Sequence, residues 1–469
     1  MYTYMVEAMA NGVEDKLIDG LSFKLQPGAS YVTDRRSVTY HPQGSNIYTP
    51  GAGTRLIRIL LTGEDWMDPS TLRIMFNIKN NGNAGQNLRL IGSPWSFFRR
   101  MRILASGQLV EDIDQYNRIH EMMHILISKE SRDNDAAEAI GDVWDERDYF
   151  NNAISANTWR GVPAQDYITV LFKPLSGILN QSKLLPLRFA PLTIELELVD
   201  TFTEPIVSNF VRAGPGFTAA NSSQLWQIEQ VQCKVDVCTL DNALHNSYVE
   251  HLLQGNSLPL SYNTFVSQMQ TIAGQNDVLI NVSRALTRLK SVFVTLHKDY
   301  ELGRGEHGGR KLWNDFVSPG YIENLDGILE LGSGQEFEFQ LQVGSKLFPE
   351  YPIRSHNEAY YQLKKTLGVQ ASSVHNFDIN SVQYRDHRFI LGTDCEKVLD
   401  AGFTGINTRA GDLMTVKLKY NSRGLPARAN ENAAFNAWLA NCRLADRIHI
   451  VLHSDQILEI RSSGCQVFD

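Results

Sequence analysis

The chain has 469 residues, of which 43% are hydrophobic and 20% are charged, and its net charge is −8 at pH 7. This composition is that of a folded protein long enough for two or three domains, and it excludes an intrinsically disordered chain. Basic residues are grouped in short stretches such as 99–102 and 364–365, with no long basic run. Because nucleic-acid binding depends on clustered Lys and Arg, the acidic balance argues against such binding as a main function.

Targeting signals and cysteine spacing indicate where the protein is made. The first residues, MYTYMVEAMANGVEDK, lack a basic region followed by an apolar run, so we expect no secretory signal. We also expect no membrane-spanning helix, because no stretch approaches about 20 uninterrupted apolar residues. The five cysteines lack paired CxxC spacing and indicate reduced thiols in a chain made inside a cell. They are Cys233, Cys238, Cys395, Cys442 and Cys465.

Alternation of apolar and polar residues predicts strands along the whole chain. An apolar residue at every second position gives a strand one apolar face, which is typical of antiparallel sheets that cover a core on one side. Only 291–296 has the nearly continuous apolar run of a fully buried strand. In chain order, the alternation predicts strands at 72–78, 194–198, 233–237, 337–343, 416–420 and 448–452. The predicted fold class is therefore all-β, built from antiparallel sandwiches.

Helices are predicted to be few and short. Apolar residues spaced three and four apart indicate helices at 116–127 and 357–367, and segments 135–148 and 431–446 are further candidates. None of them alternates with strands in the rhythm of a parallel sheet. We therefore assign the helices to connections between strands.

One short pattern occurs twice, about half the chain apart. Residues 103–110 and 341–348 each combine an apolar strand, a Gly/Ser turn and a short strand, and a predicted helix follows each of them. A unit that recurs at half-length indicates tandem copies of one domain.

The predicted boundary between the two copies lies in an irregular segment. Regular strands stop before 204–223 and restart at Gln227, whereas two other long irregular segments, 33–53 and 302–324, lie inside the copies. Segments of this length usually serve function or an interface. We predict two β-sandwich domains, 1–225 and 226–469.

His120, Glu121 and His124 have the spacing of HExxH, the zinc-protease motif, on a predicted helix. Two His four residues apart would face one metal ion, and the Glu would activate water. The longer form of the motif fails, because Ile127 stands where Gly is needed and Glu130 where a third His is needed. We interpret these His residues as packing residues and assign no catalytic, cofactor or metal-binding residue.

Two other patterns have a simpler structural explanation. The GxGxxG match at 303–308 is followed by too few residues for a crossover helix before the turn at 319–320, so it indicates a Gly-rich loop. The pairs Glu195/Glu197 and Glu336/Glu338 could serve glycosidase chemistry. Because they alternate with apolar residues, we predict that they lie on the solvated faces of half-buried strands.

Several segments resemble a known family of viral proteins. SPWSFF at 93–98 leads into RILASG at 102–107, and SKLLPL at 182–187 leads into TIELEL at 193–198. In the second half, GSKLFP at 344–349 precedes YYQL at 360–363. With two tandem sandwiches and long loops, the chain resembles the double jelly-roll major capsid proteins of double-stranded DNA viruses. This lineage includes tailless phages, adenoviruses, giant viruses, virophages and polinton-like viruses, and the resemblance is greatest to the last two.

The resemblance implies a structural protein and not an enzyme. A subunit with two jelly rolls would form a homotrimer with six similar sandwiches, a pseudo-hexagonal capsomer of an icosahedral shell. Its partners would be other copies of itself together with penton and minor capsid proteins, with no direct sequence-specific nucleic-acid binding. It would be assembled inside the host cell and would lie in the virion.

Two other functions remain open from the sequence. A carbohydrate-binding or carbohydrate-active sandwich would be indicated by glycan binding or hydrolysis. A zinc hydrolase using His120, Glu121 and His124 would be indicated by stoichiometric zinc that is lost on His124→Ala.

Overall fold

The computed structural model describes residues 31–51, 55–88, 90, 93–127, 162–206, 223–272, 275–297, 316–318, 337–368, 379, 381–386, 388–398, 403–409, 413–420 and 445–469. Over these residues the chain forms four sheets whose strands pair antiparallel. The predicted all-β class is confirmed.

The first half of the chain builds two sheets. Its strands are β1 (Val32–Tyr40), β2 (Ile47–Tyr48), β3 (Leu56–Leu61), β4 (Trp66–Asn80), β5 (Phe98–Ala105), β6 (Gln108–Asp114), β7 (Tyr167–Phe172), β8 (Leu185–Pro186), β9 (Leu192–Leu198) and β10 (Trp226–Leu240). One sheet has the order β1-β10-β4-β7, with β2 paired to β10 and β8 paired to β4. The other has the order β3-β9-β5-β6.

The second half builds two more sheets. Its strands are β11 (Leu258–Thr271), β12 (Asp277–Val282), β13 (Leu289–His297), β14 (Phe337–Val343), β15 (Lys346–Ile353), β16 (Ile390–Asp394), β17 (Met414–Tyr420), β18 (Arg447–Arg461) and β19 (Gly464–Phe468). The sheet orders are β11-β18-β13-β16, with β19 paired to β18, and β12-β17-β14-β15.

The two halves have the same topology. In each half, the described strands other than the short β2, β8 and β19 can be numbered from first to eighth in chain order. Both halves then give one sheet with the order first-eighth-third-sixth and one with the order second-seventh-fourth-fifth. Two facing antiparallel sheets of eight strands connected in this way are a jelly roll. The predicted duplication is therefore a duplication of the whole jelly roll.

The pairing of β10 bears on where the first jelly roll ends. The predicted boundary at 225/226 falls just before this strand and assigns it to the second half. β10 instead pairs with β1 and β4 along almost its full length and supplies the eighth strand of the first jelly roll. We therefore propose that the first jelly roll extends through Leu240. With this extension, the segment that precedes β10 would join two strands of the same jelly roll.

The repeated strand-turn-strand-helix pattern is present in both halves. The helices described are a 3-10 turn at Pro94–Phe97, α1 (Tyr116–Ile125), α2 (Gly177–Asn180), α3 (Asn242–Leu253), α4 (His356–Thr366) and α5 (Ser381–Asp386). In the first copy, β5 and β6 are joined by Ser106 and Gly107, both with positive φ, as a tight two-residue hairpin requires. α1 follows β6, and α4 follows β15 at the equivalent place.

Each jelly roll keeps its core between its two sheets. In β4, the alternating residues Leu72, Ile74, Phe76 and Ile78 are fully buried, as predicted. The apolar run in β13 is buried on both faces from Ser291 to His297 although its neighbours pair antiparallel. The core continues from one jelly roll to the other.

The prediction that residues 33–53 are irregular is wrong. Residues 32–40 form β1, an edge strand paired to β10 alone among the described strands. The strand was missed because it has no apolar alternation. Within β1 only Val38 and Tyr40 are partly buried, and the other residues are exposed.

Other predicted elements lie outside the described residues. These are the helix at 135–148, most of the helix at 431–446, the GxGxxG match at 303–308 and most of the irregular segments 204–223 and 302–324.

Candidate functional site

The HExxH residues on α1 pack around a tryptophan. The indole of Trp95 is stacked on the imidazole of His120, with ring centroids 4.0 Å apart and planes at 15°. The His124 ring meets the same indole edge to face, with ring centroids 4.6 Å apart. Trp95 Nε1 donates a hydrogen bond of 2.9 Å to Glu121 Oε2. One aromatic side chain from the preceding 3-10 turn therefore contacts all three residues of the motif.

The surroundings of His120 favour a neutral ring. Burial lowers the pKa of His120 well below its ordinary value, and the neighbouring His124 lowers it further. His120 Nδ1 lies 3.1 Å from the hydroxyl of Tyr116, which accepts a hydrogen bond from the backbone N–H of Leu175. The Tyr116 hydroxyl can therefore donate its own proton to Nδ1 of the neutral imidazole.

These contacts support the interpretation of His120 and His124 as packing residues, which stays a prediction. Within the described part of the chain, no group of three or more His, Cys, Asp or Glu is placed to hold a metal ion. Zinc ligation by HExxH also needs ring nitrogens that point together into open space. Here both rings are directed at Trp95.

Glu195 is not on a solvated face, and this prediction is wrong. Its side chain is only 4% exposed. Arg58 on β3 and Arg102 on β5 flank it: Arg58 Nε donates at 2.8 Å to one carboxylate oxygen, and Arg102 lies 2.9 Å from the other. The two long arginine side chains cover the carboxylate. Glu338 does lie on an exposed face, as predicted.

The basic stretch at 99–102 is neutralised by acidic residues of the same jelly roll. Arg100 forms a bidentate ion pair with Asp112 on β6: its Nε and Nη2 donate to the two carboxylate oxygens at 2.7 and 2.6 Å. Arg99 donates a hydrogen bond to Asp200. Cross-strand neighbours of opposite charge stabilise a sheet. The arginines therefore stabilise the sheet to which they belong.

The surface where the first jelly roll meets the second is the best-defined interaction surface in the described chain. The Tyr262 hydroxyl on β11 donates to the carbonyl of Val110 on β6 at 3.0 Å. Ser267, also on β11, donates to the carbonyl of Asp114 at 2.9 Å. The fifth strand of the first jelly roll thus lies against the first strand of the second.

Glu111 is buried at this surface, where it is 1% exposed. Its carboxylate accepts hydrogen bonds from the Ser176 hydroxyl and from the N–H of Gly177 (2.9 Å) at the start of α2. Burial raises the pKa of Glu111, and these hydrogen bonds oppose the rise. Glu111 therefore fixes α2 to β6, beside β11.

The sequence analysis did not identify Glu111 or Gly177. Glu111 follows buried Val110 directly, because an irregularity in the β5–β6 register breaks the alternation at this point. Gly177 allows a close approach, since an added Cβ would lie 1.6 Å from the carbonyl oxygen of Asn263 on β11. The one signal in the sequence was the acidic Glu111 directly after the apolar Val110, where the alternation breaks.

Cysteine and membrane predictions can be compared with the described residues. Cys233, Cys238, Cys395 and Cys465 are free, and Cys442 lies outside the described ranges. Among the helices of the described ranges, none is long and apolar enough to span a membrane.

Comparisons of the sequence with protein-family models and with curated proteins give no match. Comparison of the fold with solved structures gives many. The chain is similar to the VP54 protein of PBCV-1, in a crystal structure fitted into a reconstruction of the virophage Sputnik. The TM-score is 0.58 and the identity 12%, and the match covers 95% of this chain and 99% of the other.

Two further structures give similar values. For the Sputnik virophage the TM-score is 0.57 and the identity 8%, with 95% of this chain and 90% of the other covered. For the Faustovirus major capsid protein the TM-score is 0.54 and the identity 9%, with 94% of this chain and 92% of the other covered. The chain therefore has the double jelly-roll fold, as the sequence resemblance implied.

Proposed function

We propose that the chain is a major capsid protein that forms homotrimeric, pseudo-hexagonal capsomers of an icosahedral double-stranded DNA virus shell. One observation carries the proposal: two jelly rolls of identical strand order occupy the chain, and the alignment to a capsid structure covers 95% of this chain and 99% of the other. Nearly the whole length of the chain is thus accounted for by the duplicated fold.

The internal structure supports a role in assembly. Three subunits would supply six similar sandwiches. A firm contact between the two sandwiches of each subunit would fix their relative positions in the ring. The Glu111–α2 contact and the hydroxyl–carbonyl bonds from β11 provide such a contact. We propose that other copies of the chain, penton proteins and minor capsid proteins are its partners, and that it lies in the virion after assembly in the host cell.

The oligomeric state tests this proposal. The subunit mass is 52.9 kDa, so light scattering after size-exclusion chromatography should give a particle of roughly 160 kDa, as expected for a closed ring of three. Negative-stain images should show a hexagonal outline. A stable monomer at all concentrations, or a dimer, would contradict the proposal.

A further inference from the structure

A cavity of about 480 Å³ lies beside α2, where the first jelly roll meets the second. Ligand cavities commonly have volumes of about 300–1,000 Å³ and lie preferentially between domains. The first jelly roll contributes Asn180 and Gln181, at the end of α2. The second contributes Ser261, Asn263 and Phe265 of β11. Both jelly rolls therefore build this cavity, which is separate from the HExxH residues.

Aromatic side chains supply apolar surface to the cavity. The ring of Phe265 is stacked on the ring of His453 of β18, with centroids 4.9 Å apart and planes at 14°. Phe403, which lies between β16 and β17 along the chain, also lines the cavity and is 48% exposed. Such rings offer large, rigid apolar surfaces to a ligand.

Phe403 has a backbone conformation that a bulky residue rarely adopts. Its φ is 63°, in the left-handed region. Two contacts hold it there: its N–H donates at 3.1 Å to Oδ2 of Asp455, and the Arg288 guanidinium lies 5.2 Å from its ring centroid. Residues kept in strained conformations cluster at ligand-binding sites. The strain and the exposure of this ring both indicate that it contacts a ligand.

The charges at the cavity are already paired within the protein. Among the described residues that line it, only Lys290 carries a permanent positive charge. Its Nζ lies 3.2 Å from a carboxylate oxygen of Glu396 and 3.8 Å from one of Asp455. An anionic ligand would meet two carboxylates together with this cation, so the cavity favours a neutral ligand.

Three polar side chains remain for a ligand to contact. Asn180, Ser261 and Asn263 are exposed, and no hydrogen bond joins their side chains to other residues of the described ranges. An Asn amide donates and accepts hydrogen bonds, and a Ser hydroxyl does both as well. The hydroxyl groups of a ligand have the same double capacity, so they match these side chains.

We propose that the cavity binds a neutral mono- or disaccharide. A sugar ring has hydroxyl groups around its edge and C–H groups on its faces. Its faces would pack on the aromatic surface of Phe403 and Phe265, and its hydroxyls would bond the amides of Asn180 and Asn263. This would be a binding activity additional to the proposed capsid function, and it does not require trimer formation.

Saturation-transfer NMR of the wild-type protein with lactose, maltose or chitobiose tests the inference. At least one of these sugars should receive magnetisation from the protein, with a Kd of about 1 mM or lower. Phe403→Ala should weaken this binding by about 10-fold or more, because it removes the exposed ring. Asn180→Ala tests the amide contact independently and should also weaken binding.

Tyr361→Ala is the matched control, because Tyr361 is 56% exposed on α4 and does not line the cavity. This variant should bind sugar as the wild type does, and circular dichroism checks that each variant is folded. No transfer to any of the three sugars, or transfer that both Phe403→Ala and Asn180→Ala leave unchanged, would overturn the inference. Transfer to adenosine monophosphate that is lost in Phe403→Ala would also overturn it, since the cavity would then accept an anion. In each of these cases the proposed function would stand.

Discussion

At the scale of single residues, two histidines in the second jelly roll are buried in surroundings that favour the neutral ring. His356 at the start of α4 lies between the rings of Phe337 and Phe389 and is 2.6 Å from the Ser318 hydroxyl. Burial and, to a smaller extent, the charge of Arg385 lower the pKa of His356 to about 4. Burial and the charge of Lys290 likewise lower the pKa of His453 to about 4.

These pKa values predict acid sensitivity. The ordinary pKa of His, 6.5, applies to the unfolded chain, so the unfolded state binds the proton first as the pH falls. The stability contributed by neutral His356 is therefore complete above about pH 6.5 and is lost as the pH falls towards 4, by about 3 kcal/mol. His356→Gln can still hydrogen-bond Ser318, so its Tm should match that of the wild type at pH 7.5. Between pH 7.5 and pH 4.5 the Tm of the variant should fall less than the Tm of the wild type. Parallel Tm curves for the two proteins would contradict this expectation.

At the scale of elements, a very short helix of the first jelly roll packs on the second. α2 has four residues, and its Ser176 cap accepts a hydrogen bond from the N–H of Leu179. The Glu111 carboxylate holds the start of this helix, and Gly177 lies against the backbone of Asn263. The contact thus depends on a side chain from β6 and on the absence of a side chain in α2.

Gly177→Ala should weaken the contact between the jelly rolls. Its Cβ would lie 1.6 Å from a carbonyl oxygen of β11, so the backbone must move, at a cost of about 1–3 kcal/mol. Gly63→Ala is the control, because the nearest atom to its Cβ would be a Leu187 methyl at 3.7 Å. Thermal unfolding should show a lower Tm for the first variant and little change for the second. Equal Tm values would show that α2 and β11 can separate freely.

At the scale of the whole molecule, acidic residues outnumber basic ones. The net charge is −8, and the most basic stretch is paired with acidic groups of its own jelly roll. Electrostatic attraction to a phosphate backbone needs unpaired cations grouped on one surface. The paired arginines of this stretch do not supply such a surface.

The purified protein should accordingly not bind duplex DNA at about 150 mM salt. Fluorescence anisotropy of a labelled duplex, titrated with the assembled protein, measures this. A titration at low salt is the control, since weak non-specific attraction appears there first. Tight binding that falls steeply with added salt would contradict the prediction.

Much of the fold was predictable from local pattern. The strands β4, β9 and β14 carry apolar residues at alternate positions, because one face of each lies on a core. The paired strand-turn-strand-helix units were recognisable for the same reason. β1 was not, because as an exposed edge strand it has no buried face to impose a pattern. The boundary at 225/226 was placed on the long connection that precedes β10, and sequence alone does not show which strands β10 pairs with.

The sequence by itself determined that the chain is a tandem pair of antiparallel sandwiches and that HExxH lies on a short helix, since both follow from periodicity within a few neighbouring residues. Only the tertiary structure decided what those residues contact. It placed Trp95 on His120, buried Glu195 between two arginines and brought β6 against β11. These contacts join residues distant in sequence, and the free energy that selects them comes from packing and desolvation in three dimensions, which leave no periodic trace along the chain.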